Sequence, residues 1–382
     1  MRKLAIIGKG TAGAFTANHF NYYCKDDFEI EVYYDSAIKE QAVGEGTTVD
    51  IPQALHTTVG LEFHDIMQKV NGNFKTGIHY IGWGKQDYMH TFPMPNVSIH
   101  FNAVMLQELI MEHNKKNGVK YIDKNIKDND IDADYVINCT GAPKTNQEMY
   151  KAKYIPVDSA VVMQSKWDTP RYFHTLCIAH EYGWIFGIPL QDRISFGYIY
   201  NSSFTNKKKI KELLLGVMDD YECFWDIDTE PNYIKFKNYY RKENYTDKVA
   251  YNGNASFFLE PMEATSIGTI DTINRNLYDF LYGNNSLDNV NNRYSSWFKE
   301  CQDVITMHYM AGSQLYHNDF WQYATRLGNE CYADKGQLLS DILNNYNKLG
   351  FNTVKDYGTW TMESFNQNIK GLGLENVIQP KT

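Results

Sequence analysis

Lys3-Leu4-Ala5-Ile6-Ile7-Gly8-Lys9-Gly10-Thr11-Ala12-Gly13 sets a short apolar run directly against a G-x-G-x-x-G turn. The run predicts a buried strand over Lys3 to Ile7, and Gly10 to Phe20 predicts the turn and helix that follow. Glu29 to Tyr34, β-branched and aromatic, reads as a second strand closed by Asp35. Strand, glycine turn, helix and strand form a βαβ unit, the start of a doubly wound α/β sheet. Gly8, Gly10 and Gly13, with Thr11 and Ala12 between them, let the backbone turn sharply and approach a pyrophosphate, whose charge meets the positive end of the helix. Asp35 lies 22 residues beyond Gly13, where a carboxylate accepts hydrogen bonds from ribose hydroxyls. With strand, helix and acid in these places the motif predicts dinucleotide binding and leaves FAD and NAD open; a βα turn without a ligand is the competing reading.

Further along, Val104 to Asn117 carries apolar residues at helical spacing, with Lys115 and Lys116 in the last turn and Gly118 as the residue after the cap. Val119 to Ile122 and Tyr135 to Cys139 read as strands. Val157 to Gln164 and Ile194 to Tyr200 read as strands of a second, mixed sheet, and Ile210 to Asp219 as a helix after a basic turn at Lys207-Lys208-Lys209. Beyond Ile270 the pattern is mainly helical, with a polar patch from Asn284 to Asn292 that fits either a loop or a helix start. The expected fold is α/β: a Rossmann-like nucleotide-binding sheet, a second mixed sheet and a helical C-terminal part. Residues 1–275 are expected to form one interwoven module, with 276–382 packed on the same unit.

Composition narrows the function. With 43% hydrophobic residues in 382, the chain can bury a large core. A net charge of −9 argues against nucleic-acid partners and anionic membranes. The opening apolar run is too short for a signal peptide, and no stretch approaches the roughly 20 apolar residues of a membrane helix. Six cysteines without a C-x-x-C pair suggest neither a disulfide framework nor a metal site, and point to a reduced, cytoplasmic setting. Aromatic residues make up 15%; such rings fill cores and also line pockets for flat apolar molecules.

Four later segments carry a resemblance. Val43-Gly44-Glu45-Gly46-Thr47-Thr48 is similar to the V-G-E-A-T loop of the flavin-dependent tryptophan halogenases. Gly183-Trp184-Ile185-Phe186-Gly187-Ile188-Pro189 resembles their W-x-W-x-I-P signature, with Phe186 in place of the second Trp. Phe258-Leu259-Glu260-Pro261-Met262-Glu263-Ala264-Thr265-Ser266-Ile267 resembles their F-x-(D/E)-P-L-E-S-T-(G/S)-I run. Asn71-Gly72-Asn73-Phe74-Lys75-Thr76-Gly77-Ile78-His79-Tyr80-Ile81-Gly82-Trp83 resembles the segment bearing their active-site lysine.

The resemblance implies FAD, which places Gly44, Glu45, Gly46 and Thr47 near the flavin beside the phosphate turn. It implies that reduced FAD, supplied by a separate flavin reductase, reacts with oxygen and halide to make hypohalous acid for an indole- or phenol-like substrate. Thr265 and Ser266 inherit the halide site, with a plain helix cap as the alternative. Trp184, Phe186, Ile188 and Pro189 inherit the barrier between flavin and substrate; strand alternation puts 184, 186 and 188 on one face. Glu263 matches the catalytic glutamate.

His79 falls where the resemblance places the active lysine. Imidazole can donate a hydrogen bond when charged or act as a nucleophile when neutral. Lys75 is expected to share a strand face with His79 while aligning with a separate family lysine, and Lys85 is a further candidate. Two other readings stay open: a hydroxylase or other oxidase on the same fold, marked by His79 and Phe186, and a flavin-binding protein without catalysis. The aromatic stretch Tyr309 to Tyr332, with Phe320 and Trp321, lines a substrate site or packs between helices. A homo-oligomer is compatible with all of these.

Overall fold

β1 (Arg2–Ile7) is the middle strand of a five-stranded parallel sheet, and Leu4, Ala5 and Ile6 are fully buried. Helix α1 (Thr11–Cys24) follows, then β2 (Phe28–Tyr34), which pairs with β1 from Arg2 opposite Phe28 to Ile7 opposite Tyr33. Strand Lys120–Asp123 lies outside β2; on the other side of β1 come Tyr135–Asn138 and Val249–Tyr251. A strand covered on both faces reads as a continuous apolar run, which is why Leu4 to Ile7 shows no alternation. The computed structural model describes residues 1–38, 45–92, 96–126, 131–143, 148–224, 230–334, 338–349 and 360–375.

The chain divides into two compact units. Met1–Gly72, Phe101–Lys151 and Tyr239–Phe298 form the first; Asn73–His100, Ala152–Asn238 and Lys299–Thr382 form the second. The stretch 1–275 thus contributes to both, and the helices after residue 299 belong with the second sheet.

In the second unit, β3 (Asn73–Lys75) is followed by β4 (Gly77–Ile81), β5 (Tyr88–Thr91) and β6 (Ser98–His100). β3 and β6 make a two-stranded antiparallel ribbon. β4 and β5 instead close one edge of a seven-stranded mixed sheet, next to Thr175–His180, Gly183–Pro189, Arg193–Tyr200, Ser159–Lys166 and Asn232–Lys235. One face of this sheet, with Leu176, Ile178, Ile185, Ile194 and Phe196, packs with Ile210, Leu214 and Met218 of helix Lys207–Asp220.

That helix corrects the basic turn expected at Lys207-Lys208-Lys209. Asn206 caps it by accepting from the amides of Lys208 and Lys209, both at 3.1 Å, so the three lysines are its first turn. The polar patch at Asn284 to Asn292 straddles the start of helix Leu287–Ala311. Phe320, Trp321, Tyr309 and Tyr332 are all buried to 2% exposure or less. Trp321 meets Trp83 edge-on at 5.4 Å and donates its indole N–H to the His180 carbonyl at 2.9 Å, so these rings pack within a core. Among the described residues no helix is long and apolar enough to cross a membrane, and no cluster of His, Cys, Asp and Glu is placed to hold a metal.

Candidate active site

The phosphate turn is built from two glycines that admit no side chain and one that leaves space. Gly8 has φ +103°, and a Cβ there would lie 2.7 Å from the Cys139 carbonyl oxygen; at Gly13 it would lie 1.9 Å from the Gly8 carbonyl oxygen. Gly10 has nothing within 4 Å of its Cβ position. It caps α1 without a side chain, so no cap side chain occupies the positive end of the helix. Open space over Gly10 at an uncapped helix start fits a pyrophosphate. At the end of β2, Asp35 accepts from the Ala37 amide at 2.9 Å and the Asn125 side-chain amide at 2.8 Å.

The sequence carries no local signal for what holds α1 in place. The Asn252 side-chain amide lies 3.1 Å from Thr16 Oγ1 and 3.0 Å from Asn274 Oδ1, and Thr16 donates to Asn274 at 3.1 Å. This buried network ties α1 to helix Thr265–Leu281. Gly44 lies outside the described residues. Glu45, Thr47 and Thr48 are buried, and Gly46 is partly so. A Cβ on Gly268 would stand 2.9 Å from Thr48 Oγ1, so the Glu45–Thr48 loop lies against the helix that carries Thr265 and Ser266.

Glu263 and Ala264 both take left-handed backbone conformations, with φ +65° and +53°. For non-glycine residues this costs on the order of 1–3 kcal/mol each, a strain that collects at functional sites. Glu263 is 8% exposed. Helix Thr265–Leu281 begins directly after Ala264, which has no side chain able to cap it. Thr265 and Ser266 are therefore the first two helical residues rather than a cap, the former buried and the latter exposed.

In the second unit, Trp184 is buried, Phe186 and Ile188 are half-buried and Pro189 is buried. The three even positions share one sheet face, since Ile185 lies in the core beneath helix Lys207–Asp220. Trp184 and Phe186 meet with ring centroids 6.2 Å apart.

Lys75 and His79 do not share a strand face. The chain turns at Thr76, leaving Lys75 on β3 and His79 on β4, in different sheets. His79 pairs with Leu176, which pairs with Gly187, while Tyr80 pairs with Cys177 and Cys177 with Phe186. Cross-strand partners point to the same side, so His79 stands on the face opposite Trp184 and Phe186. Its ring meets His174 edge-on at 5.5 Å. Burial, and then the neighbouring His79, push His174 below the ordinary imidazole range. Lys75 is 1% exposed. Its ammonium lies 5.4 Å from the Phe92 ring centroid, and Phe92 meets His90 edge-on at 5.6 Å. His90 pairs with Ile78, two residues from Tyr80, so it belongs to the Phe186 side of the sheet.

A family model described as tryptophan halogenase matches residues 3–125 and 95–379. The chain belongs to the tryptophan halogenase family. It is 22% identical to the 7-chloro-L-tryptophan 6-halogenase of Kutzneria sp. (strain 744), over 84% of this chain and 81% of that one. It is 21% identical to the tryptophan 7-halogenase of Lentzea aerocolonigenes, over 84% and 78%. The fold is shared with a tryptophan 6-halogenase from Streptomyces toxytricini, with TM-score 0.84 and 20% identity over 97% of this chain and 90% of that one. A flavin-dependent halogenase from Xanthomonas campestris also has TM-score 0.84, at 19% identity over 98% and 89%. This halogenase is thus an FAD-dependent oxidoreductase that acts with oxygen and halide on an aromatic substrate. The turn around Gly10 fits the FAD that the family uses.

Proposed function

We propose that this halogenase modifies an indole- or phenol-like substrate with Lys75, rather than His79, as the reacting lysine of the family. The supporting observation is the burial of Lys75 on the ribbon beside Phe92 while His79 occupies the other face of its sheet. A dry amine close to an aromatic ring suits a group that must hold a small oxidant without exposing it to water.

When bound, FAD reduced by a separate flavin reductase would supply the oxidising chemistry that turns oxygen and halide into hypohalous acid. Gly8, Gly10, Thr11, Ala12 and Gly13 would hold its pyrophosphate, Asp35 its ribose, and Glu45, Gly46 and Thr47 would lie toward the flavin. The uncapped first turn at Thr265 and Ser266 offers amide donors to halide. Trp184, Phe186 and Ile188 present an apolar face that excludes substrate from the flavin, with Pro189 ending the strand behind them. Lys75 positions the oxidised halogen, and Glu263 takes the proton that the substituted ring must lose.

The test is turnover with FAD, a flavin reductase, bromide or chloride, and indole, phenol or tryptophan, followed by mass spectrometry. Wild-type protein is expected to give halogenated product, Lys75→Met to lose it by about a hundredfold or more, and His79→Asn to stay within a few-fold. Loss in His79→Asn with retention in Lys75→Met would return the role to His79. A hydroxylated product, or hydrogen peroxide alone, would overturn halogenation itself.

A further inference from the structure

Along α1, Phe15, His19 and Tyr23 recur every four residues and so share one side of the helix. That side faces helices Ile51–Val59 and Thr265–Leu281 across a half-open cavity of about 530 Å³, a usual size for a small-molecule site. All three helices belong to the first unit. His19 lies eight residues beyond Thr11, where α1 begins, or about 12 Å along the helix axis. The polar end of the cavity therefore stands apart from the phosphate turn.

Buried Phe15, Ile51 and Leu55 give the cavity apolar walls, and the more exposed Tyr23 and Tyr278 add two rings with centroids 6.2 Å apart. Its inner polar groups are His19, 8% exposed, and buried Asp271. His19 Nδ1 stands 3.7 Å from Asp271 Oδ1, and Arg275 Nε lies 2.7 Å from Asp271 Oδ2. Burial by itself would raise the Asp271 carboxyl; His19 and Arg275 beside it outweigh this and hold it below its ordinary range, so it is ionised. A carboxylate only accepts, so in the neutral imidazole Nδ1 carries the proton and the lone pair falls to Nε2. That nitrogen is buried without a hydrogen-bond partner. Asn18 and Thr58, which also line the cavity, satisfy each other: the Asn18 side-chain amide donates to Thr58 Oγ1 at 2.6 Å. A leucine or phenylalanine at 19 would leave no nitrogen unpaired, so packing alone does not call for histidine there.

We propose that this cavity is a second small-molecule site, separate from the flavin, for a flat aromatic ring that carries an N–H or O–H donor and no carboxylate. The ring lies against the apolar walls, and its donor meets His19 Nε2. Tyr23 is half-exposed and packs on the His19 ring with centroids 4.9 Å apart. Exposed side chains change rotamer within nanoseconds, so Tyr23 turns aside to admit the ligand. Charge sets what is excluded. Arg275 is committed to Asp271, and Arg293 to Asp279, another residue of the lining, at 3.3 Å. A ligand carboxylate would stand beside two acids with no uncommitted arginine to receive it.

The test is nitrogen-15 NMR of the FAD-loaded protein at about pH 8, above the ordinary imidazole range, with indole as the probe. The His19 ring signals are identified by their loss in His19→Gln. Indole is expected to move the Nε2 signal upfield and saturably, as its N–H donates to the lone pair. Indole-5-carboxylate should bind at least about tenfold more weakly. Ala54→Phe, which fills the cavity from helix Ile51–Val59, should abolish the indole shift while the absorbance of bound FAD is kept.

No shift up to the solubility limit of indole overturns the proposal, and so does an Nε2 that carries a proton before indole is added. An equal response to the carboxylate overturns the class of ligand. A shift that persists in FAD-loaded Ala54→Phe also overturns it, because the effect then arises from indole bound elsewhere. The comparison of the two probes on wild-type protein needs no variant, so it decides the matter even if Ala54→Phe fails to fold.

Discussion

Phe186 lies across Gly197, its partner on the neighbouring strand: a Cβ at 197 would come within 2.0 Å of the Phe186 ring. The Phe186 ring, part of the proposed barrier, is thus seated on a position where only glycine fits, and the choice of residue at 186 and at 197 is one choice. Replacing Gly197→Ala is expected to destabilise by about 1–3 kcal/mol, the usual cost of overpacking. In the Phe186→Ala background the same change should cost much less. A double-mutant cycle read by denaturant unfolding checks this coupling; additive effects would mean that the ring moves aside freely.

Gly10 and Gly13 should fail differently. Gly10 has φ −61° and open space around its Cβ position, so Gly10→Ala is expected to leave the unfolding midpoint of the apoprotein within about 0.5 kcal/mol. The new methyl takes the space proposed for pyrophosphate, and FAD affinity is expected to fall by about tenfold or more. Gly13→Ala collides with the Gly8 carbonyl and is expected to lower stability before any ligand is added. Thermal melts with and without FAD distinguish the two.

The backbone at Glu263 and Ala264 makes a separate prediction. An L-residue in the left-handed region costs about 1–2 kcal/mol relative to glycine. Ala264→Gly is therefore expected to be neutral or stabilising by up to about 1 kcal/mol, and Ala264→Val destabilising. If Ala264→Gly stabilises but lowers halogenation, the strained turn is holding Glu263 in place for the reaction.

Two acids on helix Leu287–Ala311 set a pH dependence of stability. Burial, with Asp303 beside it, pushes the Glu300 carboxyl up to about 7. Burial pushes Asp303 up to about 7 as well, partly offset by the Leu338 amide at 2.7 Å and the Cys331 thiol at 3.2 Å. The folded protein then binds protons that the unfolded chain releases at about pH 4. Their contribution is fully present below that pH and is lost as pH rises through about 7. The melting temperature is expected to fall by a few degrees between about pH 5.5 and 8, and Asp303→Asn should flatten the slope. A melting curve independent of pH over this range would contradict the assignment.

How much of this was legible in advance depends on how local each cause is. The βαβ start, Asp35 at the end of β2 and the second mixed sheet could all be read from short patterns, because glycine spacing and apolar runs act on neighbours in the chain. The basic turn at Lys207 to Lys209 was misread because a single capping side chain, Asn206, decided it.

Sequence alone determined the chemistry on offer: a nucleotide turn, an acid in the Glu-Pro-Met-Glu run, and two basic residues, Lys75 and His79, four positions apart. Only the tertiary structure decided between their environments. A one-residue break at Thr76 sends Lys75 into a buried ribbon with His100 and leaves His79 on the opposite face of another sheet. Side-chain direction in strands alternates with every residue, so pairing register, which depends on partners far away in the chain, outweighs spacing along it.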